Sequence, residues 1–330
     1  MSTLTATQPT LMEVSKLYTG DGTALPLAEL LTAQNPILDD IPWFEANQTS
    51  GERIATRSGL PAAAYRKLNA GVATSKSRYV DVTESCALSS SIGQIDKKLV
   101  DLSANPANFR MVENAGHMIA MNQNFASTLI YGDPTVDPEK FLGIAPRFSD
   151  ITGPENAENI IDAAGNDTDL TSILLVGWGR QGCYGIYPKG TQAGLVHKDM
   201  GELLVDDGNS GKYLAVQDLF EWDHGIAVKD WRNIVRIANI DLSALTKNAA
   251  TGADIIDLMV QAIELLDAPD AVKPVFYMPR KVRSFLRRQI TNKSNVWLSM
   301  GDVAGRKALM FDDIPCRRVD AMLGNESRVV

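Results

Sequence analysis

An α+β fold is predicted for this chain by three observations: a 34-residue basic stretch too poor in apolar residues to close a core, one long one-sided helical pattern, and a final third alternating helix and strand. The 330 residues are 45% hydrophobic and 22% charged, which excludes bulk disorder and collagen-like or coiled-coil classes. With 40 acids against 32 bases the chain carries −8, which argues against a surface that grips nucleic acid or anionic lipid all round. Cys86, Cys183 and Cys316 are isolated and odd in number, which fits a reducing cytosol. The start lacks the basic and apolar segments of a signal peptide, and the longest apolar run, Ile173 to Val176, is far too short to cross a bilayer.

The first 25 residues, rich in Ser and Thr, suit an extended arm. A short helical pattern at Leu27, Leu30 and Leu31 stops before Asn35-Pro36, and Ile37 to Phe44 follows as an apolar anchor. From Glu45 to Arg78 the large apolar residues Ile54, Leu60, Tyr65, Leu68 and Val72 stand isolated. Such a segment is a loop or excursion that must find its packing elsewhere or remain solvated. Arg53, Arg57, Arg66, Lys67, Lys76 and Arg78 face only Glu45 and Glu52, a local balance of +4.

The clearest helix spans 105–131. Asn105 is the N-cap, Pro106 takes the first turn and Gly132 is the stop, with Met111, Ala115, Met118, Phe125 and Leu129 along one face as core. The segment 133–170 is strongly acidic, −7 in balance, and opens with Asp133, Asp137 and Glu139. It is the electrostatic complement of the basic excursion.

Beyond it, SILLVGW, CYGIYPKG, GIAV and NIVRIANI read as strands, with Arg236 pointing outward between Val235 and Ile237. Thr251 as N-cap opens a helix whose buried face is Ile255, Met259, Ala262 and Leu266. PVFYM is a strand, Pro279 to Ile290 a helix, and KALMFDDIPCRRVDAML two strands about a turn at 312–315. The second helix carries Arg280, Lys281, Arg283, Arg287, Arg288 and, just beyond, Lys293 without an acid. Lacking interleaved aromatics, it reads as a solvated or subunit-contacting face ahead of a phosphate grip.

Catalytic and cofactor patterns are sparse. Gly177, Gly179 and Gly182 satisfy GxGxxG, yet CYGIYPKG follows where a dinucleotide site needs a helix, so a glycine-rich hairpin is expected and a nucleotide-dependent oxidoreductase is the alternative from another class. His117, His197 and His224 are too scattered for a metal cluster, no GxSxG elbow appears, and adjacent carboxylates such as Asp39-Asp40 point apart. No catalytic, metal or cofactor-binding residue is assigned.

The order of elements resembles that of tailed-bacteriophage major capsid proteins, the fold shared with encapsulin shells and herpesvirus capsids. NPILDDIPWFEANQTSGERIATRSGLPAAAYRKLNAGV, IYGDPTVDPEKFLGIAPRFS, GIYPKGTQAGLVHKDMG, WDHGIAVKDWRNIVRIANID, FYMPRKVRSFLRRQ and DDIPCRRVDAML are similar to segments of short-tailed, epsilon-type shells. The resemblance implies an N-terminal arm over 1–35, an E-loop over 44–82, a P-domain mainly over 83–245 with its spine helix at 105–131, an A-domain mainly over 246–320 and a C-terminal segment over 321–330. It implies a structural subunit, not an enzyme. Pentamers and hexamers of an icosahedral virion head would form in the host bacterial cytoplasm and enclose double-stranded DNA without specific binding, with no membrane involved. Portal, scaffolding and decoration proteins are the implied partners, the scaffold as a separate protein. An encapsulin-like compartment is the alternative within the fold. Contacts between subunits are expected at Arg53, Arg57, Arg66, Lys67, Lys76, Arg78, Asp133, Asp137, Glu139, Arg283, Arg287 and Arg288.

Overall fold

The structure, a computed structural model, describes residues 35–103, 105–206, 211–249, 252–292, 298–303 and 306–330. The arm to residue 34 with its Leu27 to Leu31 pattern, the cap at Thr251 and Lys293 lie outside these residues. A helical turn at Ile37–Asp40 buries Ile37 and leads into β1 (Trp43–Glu45). The excursion is a two-stranded hairpin, β2 (Gly51–Gly59) and β3 (Arg78–Asp96), joined by 60–77. The strands escape a reading by apolar alternation because beyond the hairpin's base both faces are exposed.

After α1 (Lys97–Leu102), α2 (Pro106–Tyr131) runs 26 residues. The Asn105 side chain accepts a hydrogen bond from Asn108 N, and the N–H of Gly132 closes the last turn on Thr128. Its buried face departs from expectation. Phe125 and Leu129 are in the core, but Met111 and Met118 are exposed, while Arg110, Asn114 and His117 turn toward β3 and the strand beside it. Polar groups on those strands, Ser91 and a buried Asp218, draw the polar side of the helix inward and leave the methionines outside.

The chain continues through β4 (Ile160–Asp162), β5 (Leu170–Trp178), β6 (Cys183–Tyr187), β7 (Val196–Asp206), β8 (Lys212–Val228) and β9 (Ile234–Asp241). There follow α3 (Ile255–Glu264), β10 (Lys273–Met278), α4 (Arg280–Asn292), β11 (Leu298–Val303), β12 (Arg306–Phe311) and β13 (Ile314–Arg318). Asp254 is a side-chain cap of α3, accepting from Asp257 N. Asp312 and Asp313, both at positive φ, make the two-residue turn between β12 and β13.

Hydrogen bonding orders the strands as β4-β9-β5-β10-β13-β12-β11 in one half and β1-β6-β8-β3-β2 in the other, with β7 also on β8. The halves join where Trp178 pairs with Cys183. β5 is buried along its whole length: Leu174 and Val176 enter a core with the C-terminal half of α2, Ile173 and Leu175 a core with α3 and α4. β5 and β9 therefore share the sheet of residues 273–318, and a division at 245 passes through one sheet.

Two local expectations are corrected. The GWGRQG glycines form a tight turn, with Gly179 N–H on the Cys183 carbonyl at 2.8 Å, but β6 leaves parallel to β5 and pairs with β1 and β8, so the element is no hairpin. A strand follows the glycines, so the helix N-terminus a pyrophosphate would need is missing there. Arg236 is buried, because Glu326 of the C-terminal segment reaches it at 2.8 Å, the Ala145 and Phe148 carbonyls accept from its Nη1 and the Ser172 hydroxyl from its Nε.

Candidate interaction surfaces

The hairpin is fixed at its base and unsupported at its tip. Gly51 lies so close to β3 that a Cβ there would sit 2.0 Å from the Glu84 carbonyl oxygen. Glu84 is buried and takes both N–H arms of Arg147 at 2.6 Å, which ties β3 to the turn after α2. Ile54 packs with Tyr184, Ile186 and Ala227. Beyond it no described residue covers the apolar side chains: Leu60, Tyr65 and Leu68 are 78%, 109% and 92% exposed.

Of the basic residues expected at contacts, Arg53 is engaged within the hairpin by Asp81. Arg57 lies over the Tyr79 ring at 5.5 Å, and its hydrogen bond, with that of Ser77, lowers the Tyr79 pKa. Arg66, Lys67, Lys76 and Arg78 are exposed and have no carboxylate partner among the described residues. The acidic residues lie elsewhere, just past α2. Asp133 accepts from the Thr135 N–H and hydroxyl, which lowers its pKa; Asp137 pairs with Lys140 at 2.8 Å; Glu139 is exposed. Among the described residues no ion pair joins the hairpin's bases to these acids, so one chain does not bring the two patches together.

A second basic surface lies on α4. Val282, Leu286 and Gln289 are its buried side, and Gln289 accepts from Ile255 N and donates to the Thr246 and Ala253 carbonyls, which fastens α4 to the start of α3. Arg280, Arg283, Arg287 and Arg288 converge with Arg318, the last residue of β13, on a cleft of about 390 Å³. Arg288 stacks over Phe285 at 4.7 Å.

Sequence patterns gave no warning of a third cluster, in a groove of about 430 Å³ between α2 and the β7–β8 hairpin. Asp218 is buried and meets Arg110 at 3.0 Å through both oxygens and His197 at 2.8 Å. Burial pushes its carboxyl up, but hydrogen bonds from His197, Arg110 and Asn114 outweigh that and hold its pKa below the ordinary value. His197 and His117 both stack with one ring, Phe220, at 4.8 and 5.9 Å between centroids. The available signal was the period of two along β8, which puts Asp218 on the same face as Val216, Phe220 and Trp222.

Carboxylate oxygens of Asp167, Asp169 and Asp241 lie within 4.8 Å of one another near the ends of β5 and β9, with Asp241 already accepting from the backbone of Ser243 and Ala244. Among the described residues no helix is long and apolar enough to cross a membrane.

Comparison with known proteins bears on these surfaces. Residues 19–330 match the family model of major capsid protein GP7. The chain is similar to the capsid structure of bacteriophage Epsilon15, with 34% identity, a TM-score of 0.81 and coverage of 100% of this chain and 99% of that one. It is also similar to the bacteriophage JBD30 capsid, at 11% identity and a TM-score of 0.50 over 89% of this chain and 92% of that one. The SrpI encapsulin of Synechococcus elongatus matches at 11% identity and a TM-score of 0.45 over 69% and 94%. Among curated proteins no sequence relative is found.

Proposed function

The chain belongs to the GP7 family of major capsid proteins, and from that premise we propose that it closes into the pentamers and hexamers of an icosahedral bacteriophage head around double-stranded DNA. The role is structural. One observation carries the assembly reading: a hairpin with a rigid base holds Leu60, Tyr65 and Leu68 out where the described residues of its own chain offer no cover. Burying such side chains stabilises by about 1.5 to 3 kcal/mol each, so a neighbouring copy that covers the tip gains what the monomer forgoes. The hairpin is the E-loop in this reading, α2 the spine helix of the P-domain, and the sheet β9-β5-β10-β13 with α3 and α4 the A-domain.

The bases at the tip guide that contact. Arg66, Lys67, Lys76 and Arg78 have acids to meet on another copy, with Asp133, Asp137 and Glu139 the proposed complement. Exposed pairs contribute only about 0 to 1 kcal/mol each, so charge sets register while apolar cover and repetition give strength. Portal, scaffolding and decoration proteins complete the proposed set of partners. DNA is enclosed without specific binding, in keeping with the net −8 of the subunit.

Sedimentation of a variant with Arg66, Lys67 and Lys76 all changed to Glu tests the role of the tip. The subunit's melting temperature should hardly move, since such surface changes cost under about 0.5 kcal/mol, while the particle fraction falls at least tenfold. Normal particles from the variant at low salt would refute the assignment.

A further inference from the structure

The two helices of the A-type sheet carry opposite charge. From Gly252 to Val272, the span of α3 and the turn after it, Asp254, Asp257, Glu264, Asp267 and Asp270 occur without one Lys or Arg. From Pro279 to Asn292, the span of α4, Arg280, Lys281, Arg283, Arg287 and Arg288 occur without one acid. Both helices pack on the same core and against each other, α3 next to β9 and α4 next to β13, with two strands between these in the order β9-β5-β10-β13. The α3 side of this helix pair is thus rich in acids and the α4 side rich in bases.

The cationic flank is concave and short of partners. Arg318 is matched by Asp320 through two bonds of 2.7 and 2.6 Å. Arg280, Arg283, Arg287 and Arg288 have no carboxylate partner among the described residues, and the Nε of Arg283 is buried without an acceptor. Burial, with Arg287 and Arg318 close by, pulls the Arg283 pKa down from its ordinary value. Crowding like charges in a cleft costs free energy that an isolated subunit does not recover, and a concave surface concentrates the field that draws an anion in. On the other flank Asp267 is paired with Arg232 at 3.2 Å and Asp257 with Gln261, while Glu264 and Asp270 are exposed.

We propose that the arginine cleft of α4 seats acidic side chains of the α3 flank of a second copy, Glu264 and Asp270 foremost, in a head-to-tail contact repeated around each ring. The proposal rests on the shell reading. Separate acidic and basic patches on one chain can meet head to tail, the heterologous contact that closes into a ring when the rotation closes. A carboxylate presented by a neighbour fits the geometry better than a nucleic-acid backbone. The cleft is lined by guanidiniums and Ser284 without stacking aromatics, and Phe285 is turned to the core beneath Arg288.

The test is a charge swap read by sedimentation at about 0.15 M salt, an ionic strength that screens exposed charges beyond ~8 Å. Arg280→Glu with Arg287→Glu should lower the assembled fraction at least tenfold, Glu264→Lys with Asp270→Lys should do the same, and one chain with all four changes should assemble again. Thermal melting of each dissociated subunit checks the fold, and Arg280→Gln with Arg287→Gln replaces the reversal if that variant fails to fold. If neither pair of changes affects assembly, or the fourfold chain does no better than either pair, the contact is wrong although wild-type shells form. Particles of normal yield that lose only DNA would assign the cleft to nucleic acid and overturn the proposal. Wild-type protein that forms no shells would instead overturn the shell reading itself, and this contact with it.

Discussion

His224 sits at the centre of the α2-side core, its ring 4.9 Å from Phe125, 5.6 Å from Phe141 and 4.5 Å from Trp222. Burial drives its pKa down to about 4 from an ordinary 6.5. Below pH 6.5 the unfolded chain binds a proton that the folded chain refuses, so this contribution to stability is complete above pH 6.5 and is lost as pH falls toward 4. The loss is on the order of 3 kcal/mol by pH 4. His224→Phe should therefore flatten the dependence of the subunit's urea midpoint on pH between 6.5 and 4. A variant with the wild-type slope would place the acid sensitivity elsewhere. Glu326 makes a second residue-scale test, because its side chain and that of Arg236 are each only 6% exposed and it also accepts from Tyr131 and Ser172. Glu326→Ala leaves Arg236 charged, buried and unpaired, which costs about 3 to 5 kcal/mol, a large share of a typical domain's stability. A urea midpoint unchanged by Glu326→Ala would contradict it. Neither residue's role could be read from the sequence. Burial of Arg236 depends on a partner 90 residues away, and local alternation in NIVRIANI is satisfied equally by an outward or an inward arginine.

At the scale of elements, local signals were legible wherever local chemistry decides. Asn105, Pro106 and Gly132 delimit α2 to the residue, and Asp312-Asp313 takes the turn between β12 and β13. The buried faces of α3 and of β5 follow from the spacing of their apolar residues. Where tertiary contacts decide, the signals failed. Met111 and Met118 fall on the apolar spacing of α2 but lie outside, because Asp218 and Ser91 take the polar side of the helix. The long β7–β8 hairpin went unread because VHKDMGELLVD is exposed nearly throughout and shows little apolar alternation. The β2–β3 hairpin was legible only as a stretch without a core, the property on which the proposed assembly contact rests. Its amides over 60–77 should exchange freely in the dissociated subunit and at least tenfold more slowly in the particle, while Gly51 to Arg53, paired with Thr83 to Ser85, stay protected in both. Equal exchange over 60–77 in the two states would make the hairpin an ordinary intrachain element.

For the whole molecule, the parts add to a subunit that is complete inside and incomplete outside. Its two cores share β5, so the sheet and helix layers behave as one body, and the C-terminal segment locks them through Glu326 and Val329, whose N–H donates to Asn239 at 2.8 Å. Among the described residues nothing covers the hairpin tip or supplies carboxylates to the α4 cleft, and in the proposed reading further copies of the same chain meet both needs. Electron cryomicroscopy of particles assembled from the purified chain tests this most directly. The account predicts closed shells in which Leu60, Tyr65 and Leu68 of every copy are buried against a neighbouring subunit. Closed shells with those three side chains in solvent, or a chain that stays monomeric at assembly concentrations, would contradict it.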